Sequence, residues 1–384
     1  MGIGRWPQTQ PVPTIQTLYA ALDARFSFSR AESWDKTGLL VGDFSAQVRR
    51  VLVAYEVTDA ALDAARQHEC EAVVAYHPLI FRPLEKLDFS DRTAHLCARL
   101  IRQNQNLICV HTALDGASPP DALGDALARQ LGLENARVWK PSGIQKLIKI
   151  VVFVPIEAVD DVCNALWQSG AGHIGRYDEA SFQTTGTGTF RPLEGASPRV
   201  GEIGKRHSAS EVRLEVVAPE ARWKSIVAAM KNAHPYEEVA YDVLALENSD
   251  SNQTFGPLRI HDLSGTPFGP LTPIEPWIER AKSALKVSSV RVVVPSHNNE
   301  YAFVACSPGS GASFIPALPP STIFISGDFK HHDALLAKSR GIALIDVTHA
   351  ATETASIELM AGALETVPDL EIVRDAMRNP FNFA

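Results

Sequence analysis

Two regions of the chain repeat the same order of short apolar runs and helical stretches, and this repetition limits the fold more than any other sequence feature. In the N-terminal region, apolar runs at residues 51–55, 72–76 and 107–110 are separated by helical stretches at 58–68 and 92–104. Strands that alternate with helices of this length indicate βαβ units, because parallel neighbouring strands need a long crossover. We therefore predict an α/β fold with parallel or mixed sheets.

The same order returns near the C-terminus. Residues 322–325 and 342–347 have strand patterns, residues 333–339 have a helical pattern, and a last helix is expected from about Thr352. In the middle of the chain the pattern differs, because each long strand-like run is followed directly by one helical stretch. These strand–helix pairs are 149–154 with 156–169, and 210–217 with 219–233.

Polar segments that contain Gly or Pro bound this middle region at 140–143 and 247–257, and we interpret both as linkers. The chain has 384 residues, more than one core usually supports. We predict a discontinuous α/β platform formed by residues 1–140 and 256–384. An inserted ferredoxin-like (α+β) domain, residues 141–255, is expected between them.

Composition excludes several partners. The formal net charge is −8 and no Lys/Arg-rich run is present, so we expect no nucleic acid partner. No apolar run approaches the roughly 20 residues that span a bilayer, so we expect no membrane insertion. Residues 1–13 lack a secretory pattern, and Trp6 stands where N-myristoylation requires Ser or Thr. Five scattered cysteines without a CxxC pair favour a reducing cytoplasm.

Four side chains that bind metals well stand at the ends of predicted strands. His77 follows the second strand, Asp115 stands shortly after the third, and His349 with Glu353 follows the C-terminal strand at a spacing of four. Ligands collect at the carboxyl ends of parallel strands. A single His after a strand is more often a hydrogen-bonded loop residue, and a lone HxxxE is usually a solvated helix face. The four together favour a site for zinc, iron or manganese, and a bridging carboxylate favours a pair of ions.

Several segments carry a family resemblance: WDKTGLLVG at 34–42, YHPLIF at 76–81, HTALD at 111–115, and GDFKHHD at 327–333 followed by His349 and Glu353. In order and spacing they resemble the NIF-three-like dinuclear-metal proteins, often labelled GTP cyclohydrolase type 2 homologues. In the middle region, GHIGRY at 172–177, GTGTF at 186–190 and HPYEE at 234–238 resemble the extra domain of the longer members. That domain is similar to trimeric signalling and metal-tolerance proteins of ferredoxin-like fold.

The resemblance implies a centre of two divalent metal ions held by His77, Asp115, His349 and Glu353, with the two carboxylates bridging. It also implies a ring-shaped homo-oligomer such as a hexamer. One position departs from many relatives, which have two adjacent histidines where this chain has Tyr76 and His77. A neutral phenol is a weaker ligand than imidazole, since its ordinary pKa is about 10. Tyr76 is therefore expected to support or pack against the ligands, and one metal position is expected to be weaker.

Two further histidines of the matched segments, His111 and His332, are our candidates for catalytic proton transfer. The alternative is that they and His331 support the ligands, for which Asp328 or Asp333 is the expected hydrogen-bond partner. Two functions follow from these residues. One is a metal-dependent hydrolase, whose electrophile would be the imidazole ring carbon of GTP if the family label applies. The other is a non-enzymatic metal- or effector-binding regulatory protein with a small-molecule ligand.

Overall fold

The computed structural model describes residues 12–265, 271–296 and 300–377. Most of the segment 1–13 that bears on an export signal, including Trp6, lies outside these residues. The described chain consists of two compact units. One is formed by the residues up to Ser142 together with those from Phe255 onwards, and the other by Gly143–Thr254.

The described strands and helices alternate along much of the chain. The strands are β1 (Gly38–Val41), β2 (Arg50–Ala54), β3 (Ala72–Ala75), β4 (Asn106–Cys109), β5 (Arg137–Val138), β6 (Gly143–Pro155), β7 (Phe182–Phe190), β8 (His207–Pro219), β9 (Tyr241–Phe255), β10 (Arg259–Asp262), β11 (Arg291–Val293), β12 (Phe303–Ser310), β13 (Thr322–Gly327), β14 (Ala343–Asp346) and β15 (Glu371–Arg374). The helices are α1 (Ile15–Phe26), α2 (Asp59–Gln67), α3 (Arg92–Arg102), α4 (Thr112–Asp115), α5 (Leu123–Gln130), α6 (Val159–Gln168), α7 (Trp223–Ala233), α8 (Glu275–Leu285), α9 (His331–Ser339), α10 (His349–Thr352) and α11 (Ser356–Leu364).

The first unit contains a five-stranded sheet in the order β1-β4-β3-β2-β15. Its strands pair in parallel except for β1, which is antiparallel to β4. Alternate residues of each strand face opposite sides, so the sheet carries two apolar layers. Val51 and Val53 pack in one cluster with residues of α1 and α11, whereas Leu52 and Ala54 pack in another with residues of α2 and α3. Such burial on both faces explains the continuous apolar runs in the sequence.

Local sequence signals account for the helix starts in this unit. The Thr58 side chain accepts a hydrogen bond from the Ala61 amide and caps α2, while Asp91 caps α3 through the Ala94 amide. Such caps satisfy backbone donors that have no partner inside the helix. The helical prediction for 92–104 corresponds to α3, and the prediction for 58–68 corresponds to α2.

The same unit contains a second, six-stranded sheet in the order β11-β14-β13-β12-β10-β5. Its central strands β12, β13 and β14 are parallel, and the outer pairs are antiparallel. Residues of α5 and α8 cover one face, and residues of α9 contribute to the cluster on the other. The predicted α/β fold with mixed sheets is thus confirmed. The last helix departs from the prediction, because α10 begins at His349 and α11 follows separately at Ser356.

The second unit is a four-stranded sheet in the order β7-β8-β6-β9, with α6 and α7 packed on it. Its elements follow the order β-α-β-β-α-β, the order expected of a ferredoxin-like unit. The linker predicted at 247–257 is wrong, because β9 extends to Phe255. Its polar residues misled the sequence argument, since a sheet ladder uses backbone groups and tolerates exposed polar side chains such as Glu247. Among the described helices, none is both long enough and apolar enough to cross a bilayer.

Candidate metal centre

The predicted site residues stand where parallel strands of the first unit end. Tyr76 and His77 come directly after β3, and His111 follows its neighbour β4 and precedes α4, which ends at Asp115. In the other sheet, β14 ends at Asp346 and α10 begins at His349. The backbone turns sharply before each of these helices, since φ is 36° at His111 and 75° at Thr348. The turns direct the first residues of α4 and α10 away from the strand axes.

Three of the four predicted ligands lie close together. Glu353 Oε2 is 3.2 Å from His77 Nε2 and 3.2 Å from His349 Nε2. One ligand atom from each residue lies within 4.8 Å of the other two, and no other such group of His, Cys, Asp or Glu occurs in the described ranges. Tetrahedral bonds of about 2.0–2.2 Å would put neighbouring ligand atoms about 3.3 Å apart. The spacing of these three side chains therefore fits one divalent ion.

Neighbouring side chains fix the orientation of these donors. His349 Nδ1 is 2.8 Å from Asp328 Oδ2, which leaves Nε2 facing Glu353. Asp328 is one of the two residues expected to support a ligand histidine. The other, Asp333, accepts from the Lys330 amide at the start of α9. The Tyr55 hydroxyl donates to Glu353 Oε2 over 2.6 Å. Both partners hold the ligands in position, and the Asp328 carboxylate also raises the basicity of His349.

Asp115, the fourth predicted ligand, is connected to this group through a phenol. The Tyr76 hydroxyl is 2.9 Å from Asp115 Oδ1 and 3.4 Å from Glu353 Oε1. Asp115 is not part of the group of three. The structure thus brings His77, His349 and Glu353 together. Asp115 lies outside this group and is linked to Glu353 through the Tyr76 hydroxyl.

In the metal-free site, burial and neighbouring groups shift the pKa values of the acidic and basic side chains. Burial would raise the pKa of Glu353, but hydrogen bonds with His349 and His77 lower it to about 2. Burial would lower the pKa of His349, but the Glu353 and Asp328 carboxylates raise it to about 9. Burial and the Glu353 charge raise the pKa of Asp115 to about 7. At neutral pH Glu353 is therefore a carboxylate and His349 an imidazolium, and an incoming cation would displace the His349 proton.

A glycine makes room for the carboxylate. A Cβ atom at Gly309 would lie 2.6 Å from Glu353 Oε1 and 3.2 Å from His349 Nε2, and its φ of +64° is one that other residues rarely adopt. Its amide donates to the Thr352 hydroxyl over 2.7 Å, and that hydroxyl donates to the His349 carbonyl over 2.6 Å. The end of β12 is thereby held directly against α10.

His111, a predicted catalytic residue, lies beside the three donors, with its ring centroid 5.1 Å from that of His77. Its Nδ1 is 2.8 Å from Asp35 Oδ1, and the other oxygen of Asp35 accepts from the Thr112 amide over 3.0 Å. Burial would lower the pKa of His111, but the Asp35 carboxylate raises it above its ordinary value. This arrangement orients the imidazole and leaves Nε2 available for proton transfer.

His332, the other predicted catalytic residue, is exposed in the first turn of α9, and its described ring contact is with His331 at 5.5 Å. None of its described contacts joins it to the metal-binding group. Two exposed aromatic side chains do lie near His111: Trp34 is 53% exposed and Phe81 is 50% exposed. Their ring centroids are 5.9 Å apart, and Trp34 meets the His111 ring edge to face at 6.1 Å.

Sequence reasoning missed three residues that shape the site. Tyr55 is the last residue of an apolar run and gave no polar signal, Asp35 lies far from His111 in sequence, and Gly309 stands in a strand without a motif. Asp35 had the best available signal, since it belongs to the WDKTGLLVG segment that carries the family resemblance. The contacts of Tyr55 and Gly309 depend on the packing of distant strands, which no local pattern reports.

Comparison with known proteins gives consistent results across sequence and structure. The family model described as Duf34/NIF3 (NGG1p interacting factor 3) matches residues 13–380. A protein named GTP cyclohydrolase 1 type 2 homolog from Halalkalibacterium halodurans is 34% identical over 336 residues, 87% of this chain and 88% of the relative. One of the same name from Mycobacterium tuberculosis is 34% identical over 337 residues, 86% of each chain.

Solved structures resemble the whole chain. A Bacillus cereus protein related to NIF3 superposes with a TM-score of 0.77 at 29% identity, covering 98% of this chain and 100% of that one. Staphylococcus aureus protein SA1388 superposes with a TM-score of 0.65 at 25% identity, again covering 98% and 100%. The family match spans residues of both units.

Proposed function

Because the chain belongs to the Duf34/NIF3 family, we propose that it is a divalent-metal-binding protein that catalyses metal-dependent hydrolysis. The observation that carries the proposal is the convergence of His77, His349 and Glu353 around a space that fits one cation. The proposal takes the reaction class from the relatives, whose name is GTP cyclohydrolase 1 type 2 homolog. A bound divalent ion would supply the acidity that brings the pKa of water to near neutrality.

Each protein group has a specific part in this proposal. His77 and His349 supply neutral nitrogen donors, Glu353 supplies negative charge, and Asp328 holds His349 with Nε2 toward the cation. Zinc, iron and manganese all suit this mixture of nitrogen and oxygen. Two imidazoles and one carboxylate leave positions open for water and substrate, which is the requirement of a catalytic site.

The family resemblance predicts a second ion, for which Asp115 and Glu353 Oε1 are the available carboxylate oxygens. These residues fit a second ion poorly, because the Tyr76 hydroxyl lies between them and already donates to Asp115. We therefore assign no chemical step to a second ion. The three-ligand position is sufficient for the reaction class proposed.

We propose that His111 moves the proton during hydrolysis. Its distance from His77 puts it beside the cation position without making it one of the three donors. Asp35 accepts the hydrogen bond from Nδ1 and so directs Nε2 outward, an arrangement that suits a general base or acid. His332 has no comparable contact, and we give it no part.

The surroundings of His111 favour a planar substrate. Trp34 lies next to it and Phe81 lies next to Trp34, each about half exposed, and large aromatic rings stack well on heterocycles. A purine ring would present the electrophilic imidazole carbon expected from the relatives' name. Stacking on Trp34 would hold that ring beside the donors and His111.

The test is turnover of GTP by the metal-loaded, full-length protein, with formate release as the measurement. We expect release by the wild type, loss of metal and activity in His77→Ala, and loss of activity with retained metal in His111→Gln. Trp34→Ala is expected to raise KM and leave the metal content unchanged. His332→Gln is the matched control, because it removes an exposed imidazole without a contact to the group.

Metal retention without any turnover would instead favour the regulatory function considered from the sequence. In that case GTP or another planar ligand would bind in a metal-dependent manner and remain intact. A wild-type protein that keeps no divalent ion would exclude the proposed site altogether. The homo-oligomeric ring and the cytoplasmic location also remain predictions, and the mass of the assembly in solution tests the first of them.

A further inference from the structure

We propose that Tyr76 makes this a centre for one tightly held divalent ion, because its hydroxyl occupies the position that a second ion would take. The inference rests on the metal site of the proposed function and extends it to stoichiometry. It departs from the dinuclear centre that the family resemblance implies.

The two oxygens of Glu353 have different surroundings. Oε2 faces His77 Nε2 and His349 Nε2, each at 3.2 Å, whereas Oε1 faces the Tyr76 hydroxyl at 3.4 Å. A carboxylate that bridges two ions directs one oxygen to each of them. Here one oxygen is directed to the histidine pair, and a phenol stands where the other would meet a second cation.

The Tyr76 hydroxyl also donates a hydrogen bond to the second carboxylate, that of Asp115. Asp115 Oδ1 accepts from it over 2.9 Å, so the hydroxyl lies between the two acidic side chains that would share a second ion. Imidazole at this position would present a lone pair to a cation, but a neutral phenol presents its proton to the carboxylates. The contact replaces a cation bridge with a hydrogen bond.

Tyr76 is held firmly in this place. Its side chain is 1% exposed, its amide donates to the Ala54 carbonyl over 3.0 Å, and its ring lies 6.1 Å from Tyr55 and 5.5 Å from His111. A rotation that cleared the position would have to displace these buried neighbours. The hydroxyl therefore stays between Asp115 and Glu353.

No other described side chain completes a second group of ligands. The His111 ring centroid lies 5.5 Å from that of Tyr76, but His111 does not belong to a group of three whose ligand atoms lie within 4.8 Å of one another. The described part of the chain contains one group of three or more metal-binding side chains, and Asp115 is outside it. A second ion would therefore have to bind outside the one group of ligands that the described residues form.

The experiment is a count of bound metal in the full-length chain. Wild type, Tyr76→His and Tyr76→Phe are loaded with excess Mn²⁺, passed through a desalting column, and measured for manganese per chain. We expect one ion in the wild type, two in Tyr76→His and one in Tyr76→Phe. Electron paramagnetic resonance should show an isolated Mn²⁺ in the wild type and exchange-coupled ions in Tyr76→His.

Two retained ions in the wild type would overturn the inference, and this result does not depend on any variant folding. A folded Tyr76→His protein that keeps one ion would overturn it as well. His77→Ala separates this inference from the proposed function. If that variant retains its ion, or if the wild type retains none, the metal site itself is wrong, whereas the wrong number of ions with a His77-dependent site refutes the role of Tyr76 alone.

Discussion

Replacement of Gly309 by Ala should disrupt the metal centre through a single methyl group. Gly309 lies at the end of β12, and its φ of +64° brings the backbone against the Glu353 carboxylate. The substitution removes no side chain that binds metal. Any loss of metal affinity would therefore come from the close approach of the end of β12 to the Glu353 carboxylate.

The structure gives the size of the disturbance. The added Cβ would lie 2.6 Å from Glu353 Oε1, whereas ordinary van der Waals contact begins at 3.4 Å, so one of the two must move by 0.8 Å. Metal–ligand distances tolerate shifts of about 0.2 Å. We expect metal affinity to fall about 10- to 100-fold, equivalent to about 1.4–2.8 kcal/mol. Left-handed backbone adds a folding cost of about 1–2 kcal/mol for Ala.

The assay is calorimetric or competitive titration of Mn²⁺ or Zn²⁺, together with urea unfolding of the metal-free protein. Gly341→Ala is the matched control in the same unit, because its φ is +69° and its added Cβ would meet only Pro320 at 3.9 Å. Both variants should lose a similar stability from backbone strain. Gly309→Ala alone should lose metal affinity.

Equal metal affinities in Gly309→Ala, Gly341→Ala and the wild type would refute the reasoning. That result would mean that Glu353 in its described position does not bind the ion. Equal losses in both variants would also refute it, because the effect would then come from backbone strain and not from the contact with the ligand.

Three further predictions concern protonation, hydrogen bonding and helix capping. In the metal-free protein, Glu353 stabilises the fold above its ordinary pKa of 4.5, and this stabilisation is lost as pH falls toward about 2. His349 stabilises the fold below its ordinary pKa of 6.5, and that stabilisation is lost as pH rises through about 9. Asp115, whose pKa burial raises to about 7, opposes folding as it ionises above its ordinary pKa of 3.8. Urea unfolding of the metal-free protein should therefore show stability that falls from about pH 4.5 to 9, and metal affinity should rise up to about pH 9 as His349 loses its proton; a flat profile from pH 6.5 to 9 would contradict both. Tyr55→Phe removes the 2.6 Å hydrogen bond to Glu353 and should lower the free energy of unfolding by about 2 kcal/mol, whereas a change below about 0.5 kcal/mol would mean the bond is not formed. Thr58→Ala removes the cap of α2 and should cost about 1 kcal/mol in urea unfolding with metal binding unchanged; a loss of metal would contradict the assignment of the site.

The elements that sequence patterns predicted well are those whose signal is local. The strand at 72–76 and the helix at 92–104 have continuous apolar burial or a capping Asp, and both appear within a few residues of the expected limits. The segment 247–257 was misjudged because polar composition resembles a linker even where the backbone is in a sheet. Pairing between strands far apart in sequence leaves no mark on composition.

Three of the candidate ligands could be chosen from the sequence, but their environment could not. The spacing of four between His349 and Glu353, and the position of His77 after a strand, are visible in the sequence. The Tyr55 contact joins residues that follow strands of two different sheets, and the Gly309 contact joins the end of β12 to the residue after α10, so only the folded structure reveals them. The same holds for Tyr76, whose identity was noted from the sequence but whose place between two carboxylates was not.

The centre joins residues that are made at very different times during synthesis. His77 and Glu353 are separated by 276 positions in the chain, yet Nε2 of the first lies 3.2 Å from Oε2 of the second. A ribosome must therefore add 276 residues after His77 before all three donors exist. A polypeptide that stopped before Glu353 would lack one of the three donors.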